Sequence, residues 1–265
     1  RLLVGFLPIT VPCGEFVPAR RVRRHVDAHA GFACQTARMA QVIDKPVEQS
    51  QRSRWLPLHG AFALLAVAVL VLPLAETGLE VLGLVVVYNI AVPVVARRTR
   101  DDALWITWAV LAPMSVLMVL PDWFLSAVLG TLNFPNTGSP YIGTMPLFMA
   151  GMWTIALLPL MMIGRMVESA RGVAAAFTAV GVSGLALFIA AEWLAPTIPL
   201  WEPVGVSMVL GVAVYVLLPE LGLCLATYEL VRGARRRPLP ATVGGIIAIP
   251  FMYLGMLATS YQFLG

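Results

Sequence analysis

Seven apolar runs, each about 20 residues long, constrain the fold of this chain more than any other feature. They lie at 56–75, 77–96, 103–121, 141–164, 172–192, 205–229 and 241–264. A run of this length can cross the hydrocarbon core of a bilayer. Because lipid offers no partner to backbone N–H and C=O groups, each run must be helical. The sequence therefore predicts an all-α, polytopic membrane protein with a bundle of seven transmembrane helices.

The composition agrees with this prediction. Hydrophobic residues make up 59% of the chain and charged residues 12%, whereas soluble domains carry about 25% charged residues. We therefore expect an integral, multi-pass protein with membrane lipid as a partner. The expected location is a bacterial inner membrane or an organellar membrane.

The basic residues predict the orientation of the bundle. All 18 Lys and Arg residues fall in four regions: 1–54, Arg97–Arg100, Arg165–Arg171 and Arg232–Arg237. These regions are the N-terminal tail and every second loop, so the positive-inside rule places the N-terminus inside and the C-terminus outside. Arginines divided among short membrane loops do not predict a nucleic-acid partner.

Residues 1–54 form a basic N-terminal tail that precedes the predicted membrane domain, 55–265. Val22, Val26 and Ala30 recur at helical spacing within it, which is typical of an interfacial helix. Its many arginines also agree with a targeting segment. Both interpretations remain open.

Residues 122–140 interrupt the apolar pattern with polar residues, glycines and prolines. If this stretch were an eighth span, every later basic loop would change sides. We therefore expect a non-spanning outer segment between the third and fourth helices. A related pattern recurs later, because Asp122-Trp123 and Glu192-Trp193 both end an outward-running helix and precede a proline-bearing segment. The recurrence suggests an internal repeat, although two short matches can also arise by chance.

Five acidic residues map to the outer side, where no basic residue is available to pair with them: Glu76, Glu80, Asp122, Glu192 and Glu202. Such carboxylates can simply be hydrated at the level of the lipid headgroups. Charges near a membrane also often face the bundle or a wet cavity. In that case Asp122 and Glu192 are the candidate catalytic acid and base, acting on a substrate such as an isoprenoid double bond.

Aromatic and amide side chains near these two acids are the candidate substrate-binding residues. Aromatic faces can stabilise a carbocation by cation–π contact, and amides can position a water molecule. The candidates are Trp123, Phe124, Asn133, Phe134, Asn136, Tyr141 and Trp193.

Glu220 follows Pro219 deep inside the sixth run. An intramembrane acid suggests a functional site by default, but it can also lock helices together. We therefore treat Glu220 and Glu80 as proton-relay or structural residues.

No cofactor or metal is predicted. His25 and His29 share helical spacing but have no third ligand nearby, and no phosphate-binding glycine loop or dinucleotide fingerprint is present. Covalently bound retinal is excluded, because Lys45 in the tail is the only lysine.

Several residues of the interrupted region form a pattern that resembles the carotenoid biosynthesis membrane family, which includes bisanhydrobacterioruberin hydratase. The matching residues are Asp122, Trp123, Gly130, Thr131, Phe134, Pro135, Gly143, Pro146, Leu147 and Trp153, with Glu192-Trp193 as a second block. The resemblance implies a polytopic enzyme that adds water to carotenoid ends without a redox cofactor.

Three functions follow as hypotheses. The first is a membrane protein that binds or modifies an isoprenoid or carotenoid by carboxylate acid–base chemistry, as a hydratase or cyclase does. The second is a non-catalytic subunit of a respiratory or photosynthetic membrane complex, with other membrane subunits as partners. The third is a proton-coupled transporter that uses Glu220.

Overall fold

The computed structural model describes residues 55–72 and 75–265. The N-terminal tail, with both of its proposed roles and the His25–His29 pair, lies outside these residues. The helices are α1 (Trp55–Val71), α2 (Thr77–Thr99), α3 (Asp102–Leu117), α4 (Val119–Trp123), a π-helix (Phe124–Leu129), α5 (Met149–Arg171), α6 (Val173–Leu194), α7 (Val214–Gly233) and α8 (Leu239–Leu264). Six short strands complete the fold: β1 (Leu132–Asn133), β2 (Tyr141–Ile142), β3 (Met145–Pro146), β4 (Glu202–Pro203), β5 (Met208–Val209) and β6 (Val212–Ala213).

The prediction of an all-α, multi-pass membrane protein is confirmed. Within the described residues, six helical segments are long and apolar enough to cross a membrane, namely α2, α3 through the π-helix, and α5 to α8. The helix α1 is apolar but shorter. The count of seven spans therefore stays a prediction.

The third span ends later than its hydropathy predicts. Helices α3 and α4 and the π-helix form one helical segment, Asp102–Leu129, which passes the predicted end at residue 121. Residues 122–129 thus belong to the helix rather than to a separate outer segment. The helix stops at Gly130, whose φ of 66° is left-handed, a conformation that glycine adopts without steric cost.

Two other helices begin later than predicted, α5 at Met149 instead of 141 and α7 at Val214 instead of 205. The preceding apolar residues form the hairpins β2–β3 and β5–β6, each with a two-residue turn. Gly143 has a φ of 63° and Leu210 and Gly211 have φ of 52° and 82°, as tight hairpin turns require. Hydropathy alone does not separate such a hairpin from the start of a helix.

The fold contains the same order of elements twice. A helical segment, a short strand, a hairpin and a helix that returns in the opposite direction occur in Asp102–Arg171 and again in Val173–Gly233. The equivalent strands β1 and β4 pair antiparallel, with Leu132 opposite Pro203 and Asn133 opposite Glu202. Two parallel repeats related by a two-fold axis along the membrane normal produce such a pairing.

The arginines of the described residues lie at the end of the bundle opposite the hairpins. Arg232 of α7 lies 3.6 Å from Glu168 of α5, and Arg235 lies 3.6 Å from Asp102 at the start of α3. The Arg97 guanidinium stacks 4.2 Å from the centre of the Trp105 ring. The two ends of the described helical bundle therefore differ sharply in charge.

Candidate functional site: a carboxyl-lined cavity

A cavity of about 260 Å³ lies at the hairpin end of the bundle and is lined by both repeats. Three carboxyl groups line it, from Asp122, Glu192 and Glu220. Most of its other walls are apolar or aromatic, including Met149, Ile155, Leu187, Phe188 and Tyr253. We refer to it as the carboxyl-lined cavity.

Asp122 is held by a tryptophan of its own repeat. The indole Nε1 of Trp153 on α5 donates a hydrogen bond of 2.9 Å to Asp122 Oδ2. The Trp153 ring packs in turn against Phe188 of α6 and Tyr253 of α8. Asp122 is 4% exposed, so this buried carboxyl has a fixed donor.

Glu192 has an equivalent arrangement at the end of α6. The indole Nε1 of Trp201, in the loop before β4, donates a hydrogen bond of 2.9 Å to Glu192 Oε1. Both Glu192 and Trp201 line the cavity. Each of the two predicted catalytic acids therefore accepts an indole N–H bond.

Glu220 differs from these two acids. It lies inside α7 and is 4% exposed, and its buried Oε2 atom has no hydrogen-bond partner. The preceding Pro219 cannot donate to the carbonyl one turn earlier. That carbonyl, of Tyr215, accepts a 2.6 Å bond from the Ser260 hydroxyl of α8 instead, so α7 remains packed at this break.

The two repeats are also joined across the cavity by hydroxyl groups. The Tyr215 hydroxyl at the start of α7 donates a 3.0 Å hydrogen bond to Thr131 Oγ1, which follows the first helical segment. Thr131 in turn bonds the Leu125 carbonyl in the π-helix. A π-helix beside Asp122 agrees with the frequent occurrence of such bulges at functional sites.

No basic side chain neutralises the carboxyl groups within the cavity, since its described lining contains no Lys, Arg or His. In residues 55–72 and 75–265, no group of three or more His, Cys, Asp or Glu side chains is arranged to hold a metal ion. The cavity thus combines three acids with apolar and aromatic walls.

The two tryptophans adjacent to the acids in sequence lie outside the cavity lining. Trp123 and Trp193 are largely exposed, at 44% and 65%. Each indole lies beside a hairpin turn, Trp123 near Gly143 and Trp193 near Gly211. They pack against the hairpins rather than against the space between the acids.

The other predicted substrate-binding residues also lie outside the lining. Phe124 packs against the main core, and Phe134 is buried in a smaller cluster with Met145 and Phe148. Asn133 is exposed in β1, and Asn136 is exposed, accepting a bond from the Gly138 N–H through its Oδ1.

Tyr141 has a local role. Its hydroxyl donates to the Pro135 carbonyl at 2.7 Å and to the Phe134 carbonyl at 3.2 Å. Desolvation raises the pKa of this hydroxyl above its ordinary value. Glu80 lies near the start of α2, where its Oε1 accepts a 2.9 Å bond from the Ala75 N–H.

The sequence pattern did not predict the residues that form much of the cavity wall, chiefly Trp201, Tyr215 and Tyr253. Trp153 was named only as one of the residues that resemble the carotenoid biosynthesis family, and its hydrogen bond to Asp122 was not predicted. Trp153 lies 31 residues from Asp122 in the sequence, and Trp201 lies 9 residues from Glu192. Because of these separations, the sequence alone does not show which tryptophan bonds which acid.

Residues 119–264 match the model of a family described as a domain of unknown function, DUF6989. The match spans more than half of the 265-residue chain. The chain belongs to this family. Asp122, Glu192 and Glu220 all lie within the DUF6989 region, as do both hairpins. No curated protein and no solved structure matches the chain.

Proposed function

We propose that this DUF6989 protein is an integral membrane enzyme that performs carboxylate acid–base chemistry on the end group of an isoprenoid lipid, as a hydratase or cyclase does. The observation that carries the proposal is the convergence of Asp122, Glu192 and Glu220 on one apolar cavity. Burying three acids without a cation is costly, and intramembrane acids that face a cavity often mark functional sites.

The chemistry begins with proton transfer from a neutral carboxyl group to a carbon–carbon double bond. A C–H bond forms, and the positive charge moves to the neighbouring carbon. Aromatic faces of Trp153, Phe188 and Tyr253 line the same space and stabilise such a charge by cation–π contact. The reaction ends when a second carboxylate removes a proton, either from a neighbouring carbon or from an added water molecule.

The size of the cavity restricts the substrate. A cavity of about 150 Å³ binds benzene, whereas the carboxyl-lined cavity measures about 260 Å³. It therefore accommodates a ring or a short branched segment, and a long carotenoid places only one end there. This size and the apolar walls support an end-group reaction on a chain whose remainder lies in lipid.

The positive-inside rule supports an orientation with the basic end of the bundle in the cytoplasm or its organellar equivalent. The carboxyl-lined cavity then lies toward the outer face. Membrane lipid surrounds the helices, and an apolar substrate reaches the cavity from the bilayer.

A second candidate function is that of a non-catalytic subunit of a membrane complex. The exposed apolar residues of the hairpins favour it, since Ile142, Val209 and Leu210 extend from the outer end of the bundle. Such residues suit a partner subunit as well as a membrane interface.

The test is expression in a bacterial host that accumulates acyclic carotenoids, followed by chromatography of the pigments. We expect a new hydroxylated or cyclised product that is lost in Asp122→Asn. Glu202→Gln is the matched control, because Glu202 is exposed in β4 and lies outside the cavity. An unchanged pigment profile in membranes that contain the folded protein would contradict the enzyme proposal and favour the subunit.

A further inference from the structure

We propose that Glu220 is the proton donor of the carboxyl-lined cavity and that the indole-bonded carboxyls of Asp122 and Glu192 receive protons. This inference rests on the proposed function. Its basis is the residue-by-residue correspondence between the two repeats.

The two indole-bonded acids occupy the same place in each repeat. Asp122 precedes the first residue of β1, Leu132, by ten positions, and Glu192 precedes the first residue of β4, Glu202, by ten. Each carboxyl lines the cavity and accepts one indole N–H bond. By position and by hydrogen bonding they form an equivalent pair.

Glu220 breaks this symmetry. Trp153 follows the end of hairpin β2–β3, Pro146, by seven positions, and Glu220 follows the end of hairpin β5–β6, Ala213, by seven. The position occupied by the indole donor Trp153 in the first repeat is therefore occupied by the acid Glu220 in the second. Glu192 obtains its indole from Trp201 in the loop instead.

The surroundings of Glu220 favour its neutral form. Its Oε2 atom is buried and without a hydrogen-bond partner, and the described lining of the cavity contains no basic residue. Ionisation would leave an uncompensated charge in an apolar site, which is energetically unfavourable. A carboxyl group kept neutral in this way retains a proton that it can donate.

Asp122 and Glu192 are better suited than Glu220 to accept a proton. An N–H bond to a carboxylate is stronger than one to a neutral acid, so each indole favours the ionised form of its partner. During the reaction the Glu220 O–H bond breaks as the substrate C–H bond forms. A proton then leaves the cationic intermediate for Asp122 or Glu192 and returns to Glu220 through the shared cavity. The net proton count is unchanged.

Infrared spectroscopy of membranes containing the full chain tests the protonation state directly. We expect the carbonyl stretch of a buried protonated carboxylic acid in the wild type, its loss in Glu220→Gln, and its retention in Glu202→Gln, the exposed control. A band that persists unchanged in Glu220→Gln would overturn the inference. This readout does not depend on knowing the substrate.

Pigment analysis in the carotenoid-accumulating host tests the donor role. Glu220→Gln should lower product formation by about 100-fold or more, in line with the loss of a general acid, and Glu220→Asp should restore part of it. Glutamine keeps the size of the side chain, and thermal unfolding identifies a variant that fails to fold. Product that persists in Glu220→Gln would overturn the donor role alone. A wild-type chain that forms no product would overturn the proposed function, and the donor role with it.

Discussion

At the scale of single residues, Asp122 and Glu192 each have different surroundings from the tryptophan that follows them in the sequence. Successive residues on a helix point about 100° apart, and Trp123 and Trp193 point to the outside of the bundle while Asp122 and Glu192 line the cavity. The indoles that bond the acids come from α5 and from the loop before β4, as Trp153 and Trp201.

Replacing Trp153 by Phe tests the indole bond at Asp122. The variant keeps an aromatic ring against Phe188 and Tyr253 but removes the N–H donor to a buried carboxyl. We expect a loss of about 1–3 kcal/mol in the free energy of unfolding, measured by denaturant titration in detergent. Trp193→Phe is the control, with an expected change within about 0.5 kcal/mol, because Trp193 is exposed. Equal effects of the two changes would contradict a structural bond at Asp122.

At the scale of elements, the close packing of α6 against α7 depends on small residues. A Cβ atom added at Gly184 of α6 would lie 2.6 Å from Cys224 Sγ of α7. Small residues at such contacts let membrane helices approach closely. This contact brings Glu192 and Glu220, which lie on these two helices, to the same cavity.

Gly184→Ala should therefore destabilise the bundle by about 1–3 kcal/mol, as overpacking does. The matched control is Gly255→Ala on α8, where nothing lies within 4 Å of the added Cβ atom. We expect the control to be neutral or slightly stabilising, since alanine exceeds glycine in helix propensity by about 1 kcal/mol. Thermal unfolding in detergent measures both variants, and a stable Gly184→Ala protein would show that α6 can move away from α7.

At the scale of the whole membrane domain, the two repeats are joined at the hairpin end of the bundle by the pairing of β1 with β4. Asn133 and Glu202 are direct Cα partners, a geometry compatible with a disulfide. In a chain whose natural cysteines are replaced by alanine, Asn133→Cys together with Glu202→Cys should form a bridge on mild oxidation. Trypsin cleaves between them, at Arg165 and Arg171, so bridged fragments stay together until they are reduced. Each single cysteine variant is the control, and separate fragments from the double variant would contradict the strand pairing.

The orientation of the bundle in the membrane, with the basic end inside and the C-terminus outside, is also a prediction about the whole molecule. In the same chain without natural cysteines, Gly265→Cys should react with a membrane-impermeant maleimide on intact bacteria, whereas Arg236→Cys at the basic end should react only after the membrane is opened. Both positions are exposed, so accessibility to the reagent depends on the side of the membrane. Reaction of Arg236→Cys on intact cells would reverse the proposed orientation.

The sequence by itself determined the all-helical, multi-pass character of the protein and the segregation of its basic loops. Both properties depend only on the length of apolar runs and on the position of charges along the chain. The recurrence of Asp122-Trp123 and Glu192-Trp193 also indicated the internal repeat, because equivalent places keep similar residues.

The tertiary structure alone decided which side chains meet. These helices are apolar on nearly all sides, so no 3.6-residue period identifies the side that faces the cavity. The residues 141–146 and 208–213 are as apolar as helix starts, yet turns at Gly143 and at Leu210-Gly211 fold them into hairpins. The meeting of Asp122, Glu192 and Glu220 depends on the packing of three helices, which no local pattern records.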